Sequence, residues 1–202
     1  TDSTLYCWGR NESGQLGDGT RRDRAEPGIV PGLSGVTQVA AGLEHTCALT
    51  GTGNVWCWGG NAQGEVGIGT TSVNVFNPAP LTDLSGITQI AAYDHTCAVD
   101  TSGQLYCWGR NQHGSVGDST QVDRFRPVAV AGMDAALTVA VRLHSCAAVS
   151  SGGAYCWGYG YHGVLGIDDT ATHPTPTPVQ LPDSVSALST GLTHTCALTA
   201  DG

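Results

Sequence analysis

Four histidines recur along the 202-residue chain at steps of 50, 49 and 50: His45, His95, His144 and His194, each followed by Thr or Ser, then Cys, then Ala. Four imidazoles in equivalent positions form a candidate metal centre, because neutral His is the commonest protein ligand for zinc and copper. The alternative is structural, each His hydrogen-bonding backbone between strands, since repetition makes a ring of any residue type. That reading explains the spacing without a metal, and neither a metal nor another cofactor is expected. The carboxylates offer less. Asp18, Asp118 and Asp168 recur in corresponding glycine-rich turns, where Asp usually closes the turn through neighbouring backbone. Asp168 and Asp169 fall short of the roughly six to eight oxygens that calcium takes. No Ser-His-Asp arrangement, nucleophile elbow, phosphate loop or His-Glu-x-x-His segment is present, so an enzyme is not expected.

The eight cysteines are the second chemical set. No Cys-x-x-Cys occurs, which argues against structural zinc or a thioredoxin-like motif. Cys47 and Cys57, Cys97 and Cys107, and Cys146 and Cys156 are each ten apart, the first pair with Gly51 to Asn54 centred between them. Such pairs fall opposite each other on the two strands of a hairpin. Facing Cβ atoms there are about 4.5–5.5 Å apart, close to the ~3.8 Å of a disulfide. Disulfides imply an oxidising compartment, hence a secreted, extracellular or cell-surface location. Reduced thiols buried between sheets are the alternative.

Composition narrows the partners. Seventeen acidic residues against eight basic ones, all Arg, give a net charge of −9, which disfavours nucleic acid and anionic lipid. No apolar run approaches the ~18 residues of a membrane helix, so membrane insertion is not expected. The start at Thr1 reads as a mature or excised segment. With 40% hydrophobic residues the chain can build a core, and its 29 glycines call for many tight turns.

What positions these residues is a repeat of about fifty. Tyr6-Cys7-Trp8-Gly9 returns as Trp56-Cys57-Trp58-Gly59, Tyr106-Cys107-Trp108-Gly109 and Tyr155-Cys156-Trp157-Gly158. A glycine-spaced loop follows each: Gly14-Gln15-Leu16-Gly17, Gly64-Glu65-Val66-Gly67, Gly114-Ser115-Val116-Gly117 and Gly163-Val164-Leu165-Gly166. Within one unit the β-rich runs are Val36 to Ala41, Thr46 to Thr50, Val55 to Trp58 and Asn77 to Leu81. Four short strands per unit, with no 3.6-residue apolar period, predict an all-β chain: a β-propeller of four-stranded antiparallel blades, with a linear β-solenoid as the less favoured arrangement. Trp8, Trp58, Trp108 and Trp157 are expected between blades, and Trp56 is the unpatterned fifth.

Ala41-Gly42-x-x-His45-x-x-Ala48-Leu49 followed by Trp58-Gly59-x-Asn61-x-x-Gly64-x-x-Gly67-x-Gly69-Thr70 resembles the regulator-of-chromosome-condensation repeat, and the resemblance covers the whole chain. It implies propellers that typically carry seven blades, whereas this chain has four units and an added Cys pair in each. A single propeller domain over 1–202 is expected, with units at about 34–84, 85–133 and 134–183 and a split unit made of 184–202 and 1–33. The split unit leaves Cys7 and Cys196 in matching positions. Their disulfide would close the chain as four blades and remove its free edges. The alternative is part of a six- or seven-bladed ring.

A symmetric scaffold acquires a specific surface only where its copies differ. One variable set precedes the His: Leu43-Glu44, Tyr93-Asp94, Arg142-Leu143 and Leu192-Thr193. The other follows Trp-Gly: Glu12-Ser13, Ala62-Gln63, Gln112-His113 and Tyr161-His162, with Tyr159 displacing the Gly-x-Asn of the other units. The resemblance implies that such loops lie on one face and meet protein partners, and Tyr and Arg are frequent binding anchors. Arg22-Asp23-Arg24, echoed by Asp123-Arg124, reads as a solvated turn distal to that face. The expected function is a non-enzymatic extracellular protein-binding module. A lectin or adhesin that stacks a cell-surface glycan on Tyr93, Tyr159 and Tyr161 is the first alternative. A metal protein or enzyme using the histidine ring is the second. Guanine-nucleotide exchange, known in the family, is disfavoured by the Cys pairs.

Overall fold

The computed structural model describes residues 3–70 and 74–200. Its first sheet has only two strands, β1 (Tyr6–Gly9) and β2 (Arg24–Ile29). Three four-stranded antiparallel blades follow: β3 (Val36–Ala41) to β6 (Asn74–Pro80), β7 (Ile87–Ala92) to β10 (Arg124–Ala129), and β11 (Ala136–Val141) to β14 (His173–Val179). Within them β4 is His45–Thr50, β5 Val55–Gly60, β8 His95–Asp100, β9 Leu105–Gly109, β12 His144–Val149 and β13 Ala154–Gly158. A last two-stranded sheet pairs β15 (Val185–Thr190) with β16 (Thr195–Thr199).

Burial explains the strand composition. Strands β4, β8 and β12 are buried along almost their whole length, because a neighbouring blade covers each face, and such strands lose the in–out alternation of a half-exposed one. Small residues suit that position, and Cys, Ala and Thr or Ser fill it. Trp58, Trp108 and Trp157 are completely buried and wedge the outer part of each joint between blades. Their indole N–H groups donate to the carbonyls of Gln15, Glu65 and Ser115 in the preceding loop, each at 2.9 Å. The glycine at the end of that loop leaves room for the ring. At Gly17, Gly67 and Gly117 a Cβ would stand 2.6, 2.5 and 2.6 Å from the indole nitrogen.

Hairpin register places the cysteines as the spacing predicts. Cys47 faces Cys57, Cys97 faces Cys107 and Cys146 faces Cys156, and all three pairs are disulfides with Cα atoms 4.1 Å apart. On the loop-entropy model, closing an eleven-residue hairpin contributes about 2.8 kcal/mol. Changing Cys97 and Cys107 together to Ala is expected to remove stability of that order, read as a lower midpoint in urea unfolding with an m-value equal or slightly higher, since the released hairpin lets the unfolded chain expand.

Closure into four blades is not what the structure shows. Strands β1–β2, the outer half of a blade, pack on the β3–β6 blade through Leu5, Cys7, Val30 and Trp58. Strands β15–β16, the inner half, pack on β11–β14 at the other end of the arc through Val179, Val185 and Leu188. Among the described residues no strand of one half pairs with a strand of the other. Cys7 and Cys196 are free thiols, not the fourth disulfide, and Trp8 is 60% exposed instead of packed between blades. Each half is held by a different whole blade, β1–β2 by β3–β6 and β15–β16 by β11–β14, at opposite ends of the arc.

Candidate functional site

The histidines resolve first. His45, His95 and His144 are buried, and each Nε2 meets a hydroxyl on the next blade: Thr96 at 2.7 Å, Ser145 at 2.6 Å and Thr195 at 2.7 Å. Those hydroxyls donate their single proton to the carbonyls of Glu65, Ser115 and Val164. They must therefore accept from the imidazole, which fixes the proton on Nε2. The partner is thus a side-chain hydroxyl across the joint, not the backbone expected from the sequence. Nδ1 of His95 and of His144 is buried with no partner. Burial pulls the pKa of His45 and His144 down to about 4, and of His95 to about 3, where the flanking His45 and His144 add to it. His194, at the end of the arc, is exposed. Among the described residues no three His, Cys, Asp or Glu side chains converge as a metal site would require.

The two variable loop sets do come together. In each whole blade one backbone bond joins them: Gly60 N–H to Glu44 O at 2.7 Å, Arg110 N–H to Asp94 O at 3.4 Å, and Tyr159 N–H to Leu143 O at 3.4 Å. Both sets therefore lie at one end of the blades. Adjacent blades are also linked there, Leu43 N–H donating to Tyr93 O at 3.0 Å. The Arg142 guanidinium lies over the Tyr93 ring, 4.6 Å from its centre, and its Nε reaches Thr190 O at 3.4 Å. Arg142 is exposed, Tyr93 half-buried.

Between the first two blades a groove of about 220 Å³ is lined by Glu44, Gln63, Glu65, Tyr93, Asp94 and Arg110. Its charge is mostly negative. Arg110 pairs with Asp94 at 3.4 Å and reaches Gln112 at 2.9 Å, while its Nε is buried without a partner. Glu44 accepts from the Ser13 hydroxyl at 3.2 Å. Burial raises the pKa of Glu65 and of Asp94, the nearby Arg110 holding Asp94 back in part. Toward the last whole blade the surface turns aromatic: His113 and Tyr159 stand 4.9 Å apart, Tyr159 and Tyr161 6.2 Å, and Tyr161 and His162 4.2 Å. The short 3-10 turn Tyr161–Gly163 carries the last pair. Leu43 and Leu192 are exposed on the same loops.

Two residues of this surface escaped the sequence reading. Arg110 and Glu65 occupy columns that vary from unit to unit, Arg10–Gly60–Arg110–Tyr159 and Gln15–Glu65–Ser115–Val164, so the rule that found the others applies to them too. The arginine turns need correction. Arg24 lies beside Gly9 and Arg124 beside Gly109, so they flank the same end of the blades and are not distal to it. Arg24 pairs with Asp18 at 3.0 Å, and Arg124 pairs with Asp118. The far end is formed by the hairpin turns at 51–54, 101–104 and 150–153. Asp169 is paired with His173 at 3.0 Å, and Asp168 contributes a left-handed turn residue at φ 66°.

The regulator of chromosome condensation (RCC1) repeat model matches residues 2–49, 52–99, 102–148 and 151–198. Each matched unit runs from the outer strand pair of one blade into the inner pair of the next, which is why four repeats give three whole blades and two halves. Protein RCC2 of Homo sapiens is 46% identical over 57 residues, covering 27% of this chain and 11% of RCC2. The ultraviolet-B receptor UVR8 of Arabidopsis thaliana is 33% identical over 86 residues, 41% of this chain and 20% of UVR8. Prp20p of Saccharomyces cerevisiae superposes with a TM-score of 0.85 at 23% identity over 98% of this chain and 53% of its own. The chain thus spans about half of that solved protein and a fifth or less of those two curated relatives. Four matched repeats spanning nearly the whole chain lead to one conclusion: this chain belongs to the RCC1 repeat family.

Proposed function

We propose that the chain is a non-catalytic, extracellular protein-binding module that engages its partner with the loop face. The observation that carries this is the backbone bond joining the two non-repeating loops in each whole blade, which gathers the variable residues at one end while His, Trp and Gly are consumed by the joints. Charge points to the partner's chemistry. The groove of Glu44, Glu65 and Asp94 in a chain of net charge −9 suits a protein surface rich in Lys and Arg, docked beside aromatic anchors. Prp20p has been described with its binding to Gsp1p and to histones, and the chain shares its fold. Three disulfides support the oxidising location.

A photo-reactive phenylalanine analogue tests the face. Placed at Leu43 or Tyr161, it is expected to cross-link a protein from the extracellular milieu. Placed at Thr52 or Ser102, exposed at the far end, it should give none. Adducts from both ends alike, or from the far end alone, would refute the assignment. A glycan reading rests on Tyr161, exposed and edge-on to His162. Glycan-array binding that Tyr161→Ala abolishes would favour it instead.

A further inference from the structure

The loop face carries two poles of charge, the acidic groove and the guanidinium of Arg142. On the reading that the protein partner docks on this face, we infer that Arg142 is the seat of a carboxylate of that partner, an Asp or Glu side chain. Basic groups of the same partner enter the groove alongside it.

Most arginines of the chain are answered from within. Arg10 pairs with Glu12, Arg24 with Asp18, Arg110 with Asp94, Arg124 with Asp118 and Arg126 with Asp83. Arg142 is different. It is exposed on the loop face of a chain with net charge −9, yet among the described residues no carboxylate pairs with it.

The columns of the repeat give the reason. The two positions that put acids into the groove read Glu44, Asp94, Leu143, Thr193 and Gln15, Glu65, Ser115, Val164 from unit to unit. Both turn neutral around Arg142. Leu143, next to it in the chain, accepts through its carbonyl from Tyr159 N–H at 3.4 Å and from the Ser115 hydroxyl at 2.6 Å, and neither group carries a charge.

The side chain is held in place all the same. Its guanidinium lies over the Tyr93 ring, 4.6 Å from the centre, and its Nε donates to Thr190 O at 3.4 Å. Tyr93 lies between β7 and β8, and Thr190 ends β15, so the sheets on both sides of Arg142 position it. A cation on an aromatic face keeps its charge while its freedom, and the cost of ordering it on binding, are reduced. Both Nη groups are without a partner among the described residues. Together they present the planar fork that a carboxylate meets with two parallel hydrogen bonds. A uniformly basic surface would be repelled at this point, so the two poles fix the direction in which the partner lies across the face.

The protein cross-linked through Leu43 supplies the probe, and double-mutant cycles between Arg142 and each carboxylate on its bound surface give the test. Arg142→Gln is expected to weaken binding about tenfold or more, as the loss of a hydrogen bond between charged groups does. Changing one Asp or Glu of the partner to its amide should weaken binding by a similar factor. Both changes together should cost no more than either alone. Arg142→Lys should recover only part of the loss, because an ammonium lacks the fork. Since Arg142 is exposed, these variants should keep the wild-type urea midpoint. Arg142→Gln binding within about twofold of wild type, or losses that add for every carboxylate tried, would overturn the inference, while adducts at Leu43 and Tyr161 would leave the loop face standing. Adducts from the far end alone would remove the loop face, and the carboxylate seat with it.

Discussion

Trp108→Ala is expected to lower the stability of the chain by about 3–5 kcal/mol, the cost of emptying a site the size of an indole in a packed interior. Trp108 is completely buried between the first two whole blades, its ring against Gly67 and its N–H on Glu65 O at 2.9 Å. The carbonyl does not become an orphan, because the Thr96 hydroxyl still donates to it at 3.1 Å. The loss is therefore mainly one of packing. Trp8 has the same neighbours in sequence but lies exposed, and Trp8→Ala is expected to change stability by no more than about 0.5 kcal/mol. Urea unfolding of the two variants side by side checks both values. A Trp108→Ala loss below about 1 kcal/mol would mean that the indole does not hold the joint.

Acid is the second large effect, and its direction follows from the histidines. In the unfolded chain an imidazole protonates near pH 6.5, whereas in the folded chain burial delays this to about 4 at His45 and His144 and about 3 at His95. Stability is therefore level above about pH 6.5 and falls as the pH drops toward the folded-state values, because only the unfolded chain takes up the protons. Each histidine contributes a slope of about 1.4 kcal/mol per pH unit within that window, so three together are enough to unfold a domain of ordinary stability before pH 4. Glu65 and Asp94, raised by burial, oppose this slightly as they titrate. Asp100 and Asp118, held down by hydrogen bonds from Ser102 and Gln104 and from Thr120 and Arg124 despite some burial, add their losses only at lower pH. His95→Gln keeps a donor for Ser145 and removes one titrating group. Calorimetry at pH 7, 6 and 5 should show its melting temperature falling about two-thirds as steeply as that of the wild type. An unchanged slope would exclude His95 from the acid response.

The residues that repeat were legible in the sequence, and those that meet across a joint were not. Four strand ends of the first whole blade, Val36, Ala41, Thr50 and Val55, and three disulfides follow from turn residues and ten-residue spacings, since hairpins are local. The fourth pair failed for the opposite reason. Cys7 and Cys196 hold matching positions in the repeat, but their meeting depends on how every sheet between them packs on the next, which spacing does not encode. His45 was given the wrong partner, because the Thr96 hydroxyl lies 51 residues away and the repeat period itself brings it near. The Gln38 side chain, which clasps both Ile90 N–H and Ile90 O at 3.0 Å, and Gln89, which does the same to Val139, went unnoticed. Neither glutamine belongs to a marked motif. The loop face was legible as a list of variable columns. That Tyr93 and Arg142, on different blades, stack on each other was not.

With the cross-linked partner identified, one affinity comparison tests whether repetition builds the frame and departures from it make the contact. Tyr93, Arg142, Tyr159 and Tyr161 are changed together to Ala, and Thr52 and Ser102 at the far end are changed likewise as the reference. The expected result is a loss of about thirtyfold or more for the first variant, equivalent to at least about 2 kcal/mol at a set of central anchors. The acid-unfolding midpoint and the three disulfides should be unaltered, and the far-end reference should bind within about twofold of wild type. Equal losses in the two variants, or a full-strength interaction without the four anchors, would contradict the assignment of recognition to the loop face.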